Sequence, residues 1–122
     1  MVQLAMRAFL FLILIFPTFS FGVTGKELLS DCSTDVSTYA RGACSGYLKG
    51  TMTTYDLFIG TGAYFCPPAN LTMLEVERIV VTFLEQNLDY LHLPASSMVL
   101  NALTLKFPAS ERDGGFTKFC PE

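Results

Sequence analysis

Four cysteines constrain this chain more than any other feature of its sequence. Cys32, Cys44, Cys66 and Cys120 are separated by 12, 22 and 54 residues, without a C-x-x-C pair. The only histidine, His92, is remote in sequence, so the spacing does not indicate a zinc site, and no metal or other cofactor is predicted. An even number of cysteines favours two disulfides, which can form in three ways. Such bonds would stabilise a small domain whose core is limited in size.

The N-terminal segment has the pattern of a cleavable signal peptide. Arg7 precedes an unbroken apolar run from residue 8 to 16, and small residues then allow cleavage after Gly22. We therefore expect residues 1–22 to be the signal peptide and residues 23–122 the mature domain. The run is shorter than the roughly 20 apolar residues that a membrane-spanning helix needs, so a retained anchor is the weaker interpretation. Export to the periplasm, where disulfides form, is the expected outcome.

The charge balance of the mature chain excludes one broad class of partner. Loss of Arg7 leaves 7 lysines and arginines against 11 aspartates and glutamates, which gives a net charge of 7 − 11 = −4. Nucleic-acid binding requires clustered positive charge, so no nucleic-acid partner is predicted. A basic protein partner is compatible with this balance.

Apolar periodicity predicts an all-α domain of four helices, or five, stapled by two disulfides. The third helix has the clearest start, because Thr72 and Glu75 form a capping box, and its apolar positions repeat from Val76 to Leu84. Pro94 suits the start of the last helix, and Pro108 ends it. The predicted helices cover residues 26–32, 38–58, 72–86 and 94–107, and residues 109–122 are predicted to form an irregular tail.

Three glycines recur at every fourth position of the second predicted helix. Gly42, Gly46 and Gly50 keep one face of that helix free of side chains, so another element can approach it closely. In a soluble protein this pattern favours tight helix packing over a binding site.

The strongest indication of an enzyme is a possible hydrolase site, and the sequence supports that site only weakly. Asp89, His92, Ser96 and Ser97 lie close in sequence, but nothing around them resembles a G-x-S-x-G elbow or another nucleophile setting. A single histidine near a helix start more often caps or packs. We therefore predict no catalytic residue and no enzymatic activity.

Several short motifs occur in a fixed order along the mature chain. They are LLSDC at 28–32, CSGYLKG at 44–50, FCPP at 65–68, FLEQN at 83–87, HLPAS at 92–96, Ala102-Leu103 and Phe107-Pro108. Together they resemble the Rap/Tai family of type VI secretion amidase immunity proteins. The resemblance covers nearly all of the mature chain.

This resemblance implies a small periplasmic helical protein, commonly a homodimer, that binds a peptidoglycan-cleaving amidase effector and blocks its active-site cleft. One departure is that residues 109–119 separate Phe107-Pro108 from Cys120, whereas family members often have the last cysteine directly after the proline. The alternative function is a periplasmic stress or acid-resistance protein of the chaperone type, which would bind unfolded clients. An amidase or secretion gene next to this one would favour immunity.

The helix order suggests one disulfide pairing among the three. Cys32 at the end of the first helix and Cys44 in the second can face each other in a helical hairpin. Cys66 and Cys120 would then tie the central loop to the tail.

An inhibitory element should be an exposed loop that carries polar and aromatic groups. Two segments qualify as partner-binding sites. The connection after the third helix carries Asn87, Asp89, Tyr90 and His92, and the tail carries Ser110, Glu111, Arg112 and Asp113. The alternative is that both segments are ordinary solvated turns.

Overall fold

The computed structural model describes residues 22–33, 35, 37–59, 65–111 and 118–119. In chain order these contain α1 (Gly25–Asp31), α2 (Thr38–Ile59), α3 (Met73–Gln86), a 3-10 helix (Leu88–Tyr90), α4 (Ala95–Lys106), β1 (Ser110–Glu111) and β2 (Lys118–Phe119). The predicted all-α class is confirmed. The predicted signal peptide lies outside the described residues, apart from Gly22. Within the described ranges, no helix is both long and apolar enough to span a membrane.

The first helix begins with a capping box that the sequence analysis missed. The backbone N–H of Thr24 donates to the Glu27 carboxylate (2.8 Å), and the N–H of Glu27 donates to the Thr24 hydroxyl (3.3 Å). Two N–H groups at the start of α1 are thereby satisfied. Hydrogen bonds from the backbone and then the side chain of Thr24 lower the pKa of Glu27.

The core lies mainly between α3 and α4, which pack against each other more extensively than the other described helices do. The predicted Thr72–Glu75 capping box starts α3, as expected. The buried side chains of these two helices are Val76, Val80, Leu84, Ala95, Met98, Val99, Ala102 and Leu103. Each fully buried valine or leucine contributes about 1.5–3 kcal/mol relative to an exposed position. The apolar repeat predicted from Val76 to Leu84 is confirmed as the core face of α3.

A disulfide joins α1 to α2. Cys32 and Cys44 are bonded, with their Cα atoms 5.1 Å apart, and both are almost completely buried. This pairing was predicted and is confirmed, and closing so short a loop contributes roughly 3 kcal/mol in the chain-entropy model. Cys66 is also disulfide-bonded. Its partner lies outside the described residues, as does Cys120, so the second pairing stays a prediction.

The segment after α2 is held by the end of α4 and by an aromatic contact. Phe65 forms an antiparallel bridge with Pro108, and the N–H of Cys66 donates to the carbonyl of Phe107 (2.9 Å). The ring of Tyr55 meets that of Phe65 edge to face, with centroids 6.4 Å apart. The C-terminal half of α2 is therefore tied to this segment.

The tail departs from the sequence-based expectation. It was predicted to be irregular, but β1 and β2 pair antiparallel, with Ser110 opposite Phe119 and Glu111 opposite Lys118. Two residues are too few to show the alternation of apolar and polar side chains by which a strand is recognised in sequence. The prediction of an irregular tail was therefore wrong at these positions.

Candidate protein-binding surface

The connection between α3 and α4 presents apolar side chains to solvent. Leu88 is 62% exposed, Tyr90 57% and Leu93 38%. Asp89 and His92, which lie among them in sequence, are exposed as well. Exposed large apolar side chains with polar neighbours are typical of protein-binding surfaces, in which aromatic residues are enriched. We call residues 87–93 the connecting segment.

Backbone hydrogen bonds fold the connecting segment onto itself. The N–H of Tyr90 donates to the carbonyl of Asn87, and the N–H of Leu93 donates to the carbonyl of Tyr90, both at 3.0 Å. The side-chain amide of Asn87 donates to the carbonyl of Phe83 (2.7 Å), so it satisfies an acceptor in the last turn of α3. A segment with its backbone bonded in this way loses little conformational entropy when it binds.

The start of α1 and the residues just before it form backbone hydrogen bonds with the connecting segment and with the first residue of α4. The N–H of Lys26 donates to the carbonyl of Leu91 (2.9 Å), and the N–H of Gly25 donates to that of Leu93 (3.0 Å). The N–H of Ala95 in turn donates to the carbonyl of Val23 (2.8 Å). These hydrogen bonds hold the connecting segment in place against the start of α1. We call residues 23–26 the brace.

This brace requires a glycine. A Cβ atom on Gly25 would lie 2.4 Å from Sδ of Met98 and 3.3 Å from the Cα and carbonyl oxygen of Leu91. Met98 is enclosed in the core, and the Leu91 atoms belong to the backbone, so neither neighbour can move freely. The absence of a side chain at position 25 thus permits α1 to approach the connecting segment.

Of the predicted partner-binding residues, those in the connecting segment come together on one exposed turn. Asp89, Tyr90 and His92 are exposed, whereas Asn87 is partly buried and bonded to α3. In the tail, Ser110 and Glu111 form β1. Arg112 and Asp113 lie outside the described residues.

Sequence reasoning missed the apolar members of this surface. Leu88 continues the repeat of Val76, Val80 and Leu84, so its spacing favours burial. Because α3 ends at Gln86, Leu88 leaves the inner face of the helix and becomes exposed. The end of the predicted helix at residue 86 was the signal in the sequence that could have revealed the exposure of Leu88.

The residues that were considered for a hydrolase site are exposed or, in the case of Ser96, bonded to Tyr55 through the main chain. The hydroxyl of Tyr55 donates to the main-chain carbonyl of Ser96, and burial, followed by the proximity of Tyr47, raises the pKa of Tyr55 above 10.0. His92 and Ser97 are exposed. In the part of the chain that the structure describes, no three histidine, cysteine or acidic side chains converge on a metal site.

The glycine face of α2 is open. A Cβ atom on Gly42, Gly46 or Gly50 would meet no heavy atom within 4 Å. The interpretation that another element of this chain packs tightly on that face is therefore wrong for the described residues. Beside it, Tyr47, Tyr55 and Ser96 line a shallow depression together with Gly46 and Gly50.

Comparison with known families assigns this chain to one of them. A model described as Rap1a immunity proteins matches residues 24–109 of the chain. The chain belongs to the Rap1a immunity protein family. The match starts at the N-cap of α1 and ends just before β1, so it spans the helices and the connecting segment. No curated protein matches this Rap1a family member. Membership supports an immunity role, in which the chain binds an effector protein.

Proposed function

We propose that this Rap1a family member is a periplasmic immunity protein that inhibits a peptidoglycan amidase delivered by type VI secretion. It would bind the enzyme and occlude the active-site cleft, without catalysing a reaction itself. The family match supports the immunity role. The amidase target and the periplasmic location rest on the ordered motifs and the signal-peptide pattern.

The exposed, braced connecting segment is the observation that carries the inhibitory mechanism. Leu88 and Tyr90 offer a leucine and an aromatic ring that a partner's cleft would desolvate, and aromatic side chains dominate the energy of many interfaces. The hydrogen bonds that hold Leu91 and Leu93 to the start of α1 keep this segment in place before it binds. Binding energy would therefore not be spent on ordering the loop.

Charge would act mainly on the rate of association. The mature chain carries a net charge of 7 − 11 = −4, and Asp89 adds a carboxylate between the two most exposed large apolar side chains of the segment, Leu88 and Tyr90. An acidic surface of this kind would be steered toward a basic cleft rim, which accelerates encounter more than it deepens affinity. In the tail, Ser110, Glu111, Arg112 and Asp113 form a second proposed contact.

Amidase inhibition is the direct test. Peptidoglycan cleavage by the effector encoded nearest to this gene is measured with and without a stoichiometric amount of the mature protein, and we expect near-complete inhibition. Unchanged cleavage together with no complex in calorimetry would reject the immunity function for that enzyme.

Two matched variants test the surface within the same assay. Tyr90→Ala should weaken inhibition by about 10- to 100-fold, as for an aromatic residue at the centre of an interface. Leu74→Ala removes a leucine of similar exposure on α3, 52% exposed, and should leave inhibition unchanged. Equal inhibition by both variants would show that the connecting segment is not the contact, while the immunity function would stand.

The open glycine face of α2 supports homodimerisation as a further part of this proposal. Small residues let two helix backbones approach closely, and no atom of the described chain covers Gly42, Gly46 or Gly50. Two copies that packed this face against each other would bury Tyr39, which lies on the same side of α2 and is 87% exposed.

A further inference from the structure

A groove runs along the outer side of the α3–α4 pair, on helix surfaces that do not belong to the connecting segment. It has a volume of about 360 Å³. Its lining residues are Arg78, Ile79, Thr82, Phe83 and Gln86 from α3 and Ala102, Leu105 and Lys106 from α4. A second depression continues it toward Pro68, Leu71 and Phe107 and shares Arg78, Ile79 and Lys106 with it.

The groove is apolar inside. Ile79 and Phe83 pack against the core from its floor, and Ala102 is buried beneath it. Leu105 stands at its edge and is 73% exposed, the largest exposed fraction of any leucine that the structure describes. An apolar channel with an exposed leucine at its rim is suited to receive apolar side chains of a partner.

The rim carries positive charge although the protein is acidic. Arg78 and Lys106 are two of the five lysine and arginine side chains that the structure describes. Of the others, Arg41 forms an ion pair with Glu77 (3.6 Å). The carboxylate that lines the second depression, Glu75, already accepts hydrogen bonds from Thr72 in the capping box. Hydrogen bonds from Thr72 and then the charge of Arg78 lower the pKa of Glu75, so Arg78 also interacts with this carboxylate. Glu75 does not line the first depression, which presents Arg78 and Lys106 over an apolar floor.

We propose that this groove binds an acidic amphipathic helix of a partner protein. The stretch of α3 from Arg78 to Gln86 rises about 12 Å, which corresponds to roughly two helical turns of a ligand. A ligand helix with apolar residues at i, i+4 and i+7 would fill the floor, and glutamates flanking that stripe would meet Arg78 and Lys106. Two cations are too few for a nucleic-acid or anionic-membrane surface, which requires a larger cluster.

This inference does not rest on the immunity function, and a synthetic probe tests it. The probe is a stapled helical peptide of about 14 residues, four turns, with leucines at i, i+4 and i+7 and glutamates on both flanks. The staple removes the instability of short isolated helices. Amide shifts in an NMR titration of the mature protein should concentrate at residues 78–86 and 102–106. Shifts elsewhere, or no shifts up to millimolar peptide, would overturn the proposal.

Charge-reversed variants separate this groove from general electrostatics. Arg78→Glu with Lys106→Glu should weaken peptide binding by about tenfold or more, because like charges would then face each other. Lys26→Glu with Lys49→Glu changes the net charge by the same amount at exposed positions outside the groove, and should alter binding less than twofold. A peptide with lysines in place of the glutamates should bind the first variant better than the wild type. Equal weakening by both double variants would overturn the proposal.

A second matched pair of variants tests the apolar contact between the peptide and the groove. Leu105→Ser should weaken peptide binding several-fold, whereas Leu74→Ser, at the other exposed leucine of the helix pair, should not. Phosphatidylglycerol vesicles form a further arm of the test. Vesicle binding that was lost in the Arg78 and Lys106 variant, without peptide binding by the wild type, would show a membrane surface instead.

Discussion

At the scale of single residues, the glycines that stand out in the sequence are not the glycine that close packing requires. Gly42, Gly46 and Gly50 form the conspicuous pattern in the sequence, yet each stands in open space. Gly25 belongs to no repeat, but the close approach of Met98 and the Leu91 backbone depends on it. Tertiary contact, and not sequence periodicity, decides which glycine the fold requires.

Gly25→Ala should therefore destabilise the protein although alanine is the better helix former. Overpacking against Met98 and Leu91 costs about 1–3 kcal/mol, so over most of that range it outweighs the propensity gain of about 1 kcal/mol. Gly42→Ala makes the same chemical change where a Cβ meets nothing, so it should stabilise by up to about 1 kcal/mol. Urea denaturation followed by circular dichroism measures both. Stabilisation of equal size in the two variants would contradict the close packing of α1 on the connecting segment.

At the scale of secondary-structure elements, capping boxes define where α1 and α3 begin. Thr24 with Glu27 and Thr72 with Glu75 make the same pair of reciprocal hydrogen bonds. The box of α3 was recognised in the sequence, because an apolar repeat follows it directly. The box of α1 was not recognised, because so short a helix carries little periodic signal after it.

The capping box at the start of α3 makes a contribution to stability that depends on pH. Hydrogen bonds from the backbone and side chain of Thr72, and then the charge of Arg78, lower the pKa of Glu75 below 4.5. Because the folded pKa lies below the unfolded one, this stabilisation is fully present above pH 4.5 and is lost as the pH falls through the folded value. Glu75→Gln should therefore lower the free energy of unfolding at pH 7 and have little effect near pH 3.

Denaturation of wild type and variants at both pH values checks this expectation. Thr72→Ala should cost about 1 kcal/mol at pH 7, as for other lost N-caps. Glu85→Gln, at an exposed position near the other end of α3, serves as the charge control and should not destabilise at pH 7. A Glu75→Gln effect that was the same at both pH values would exclude the carboxylate as its source.

At the scale of the whole molecule, the three surfaces proposed for partners are distinct. The connecting segment, the glycine face of α2 and the α3–α4 groove are formed by different residues, so the proposed dimer and the proposed effector complex would not compete for one surface. The salt bridge between Arg41 and Glu77 (3.6 Å) links α2 to α3 beside these surfaces. Its side chains are 47% and 17% exposed, and ion pairs in contact with solvent contribute little, so core packing and the disulfide hold the helices together.

The glycine face makes the proposed dimer testable. Light scattering of the mature protein at micromolar concentration should return a dimer mass. Gly46→Leu should convert it to a monomer with an unchanged helical spectrum, because a Cβ atom at this position meets no described atom within 4 Å, whereas a leucine there would block a second copy. Ser45→Leu adds the same side chain to an exposed neighbouring position and should remain dimeric. A wild-type monomer would reject the dimer.

The sequence by itself determined the all-α class, the core face of α3 and the Thr72–Glu75 cap, and it suggested the Cys32–Cys44 bond among three possible pairings. Each depends on residues near one another in the chain, so helical spacing and local hydrogen bonding suffice to predict them. Only the tertiary structure decided that Leu93 is exposed, that Gly25 lies against the connecting segment and that the glycine face of α2 is open. These features depend on which distant backbone lies against a residue, and residue spacing does not carry that information.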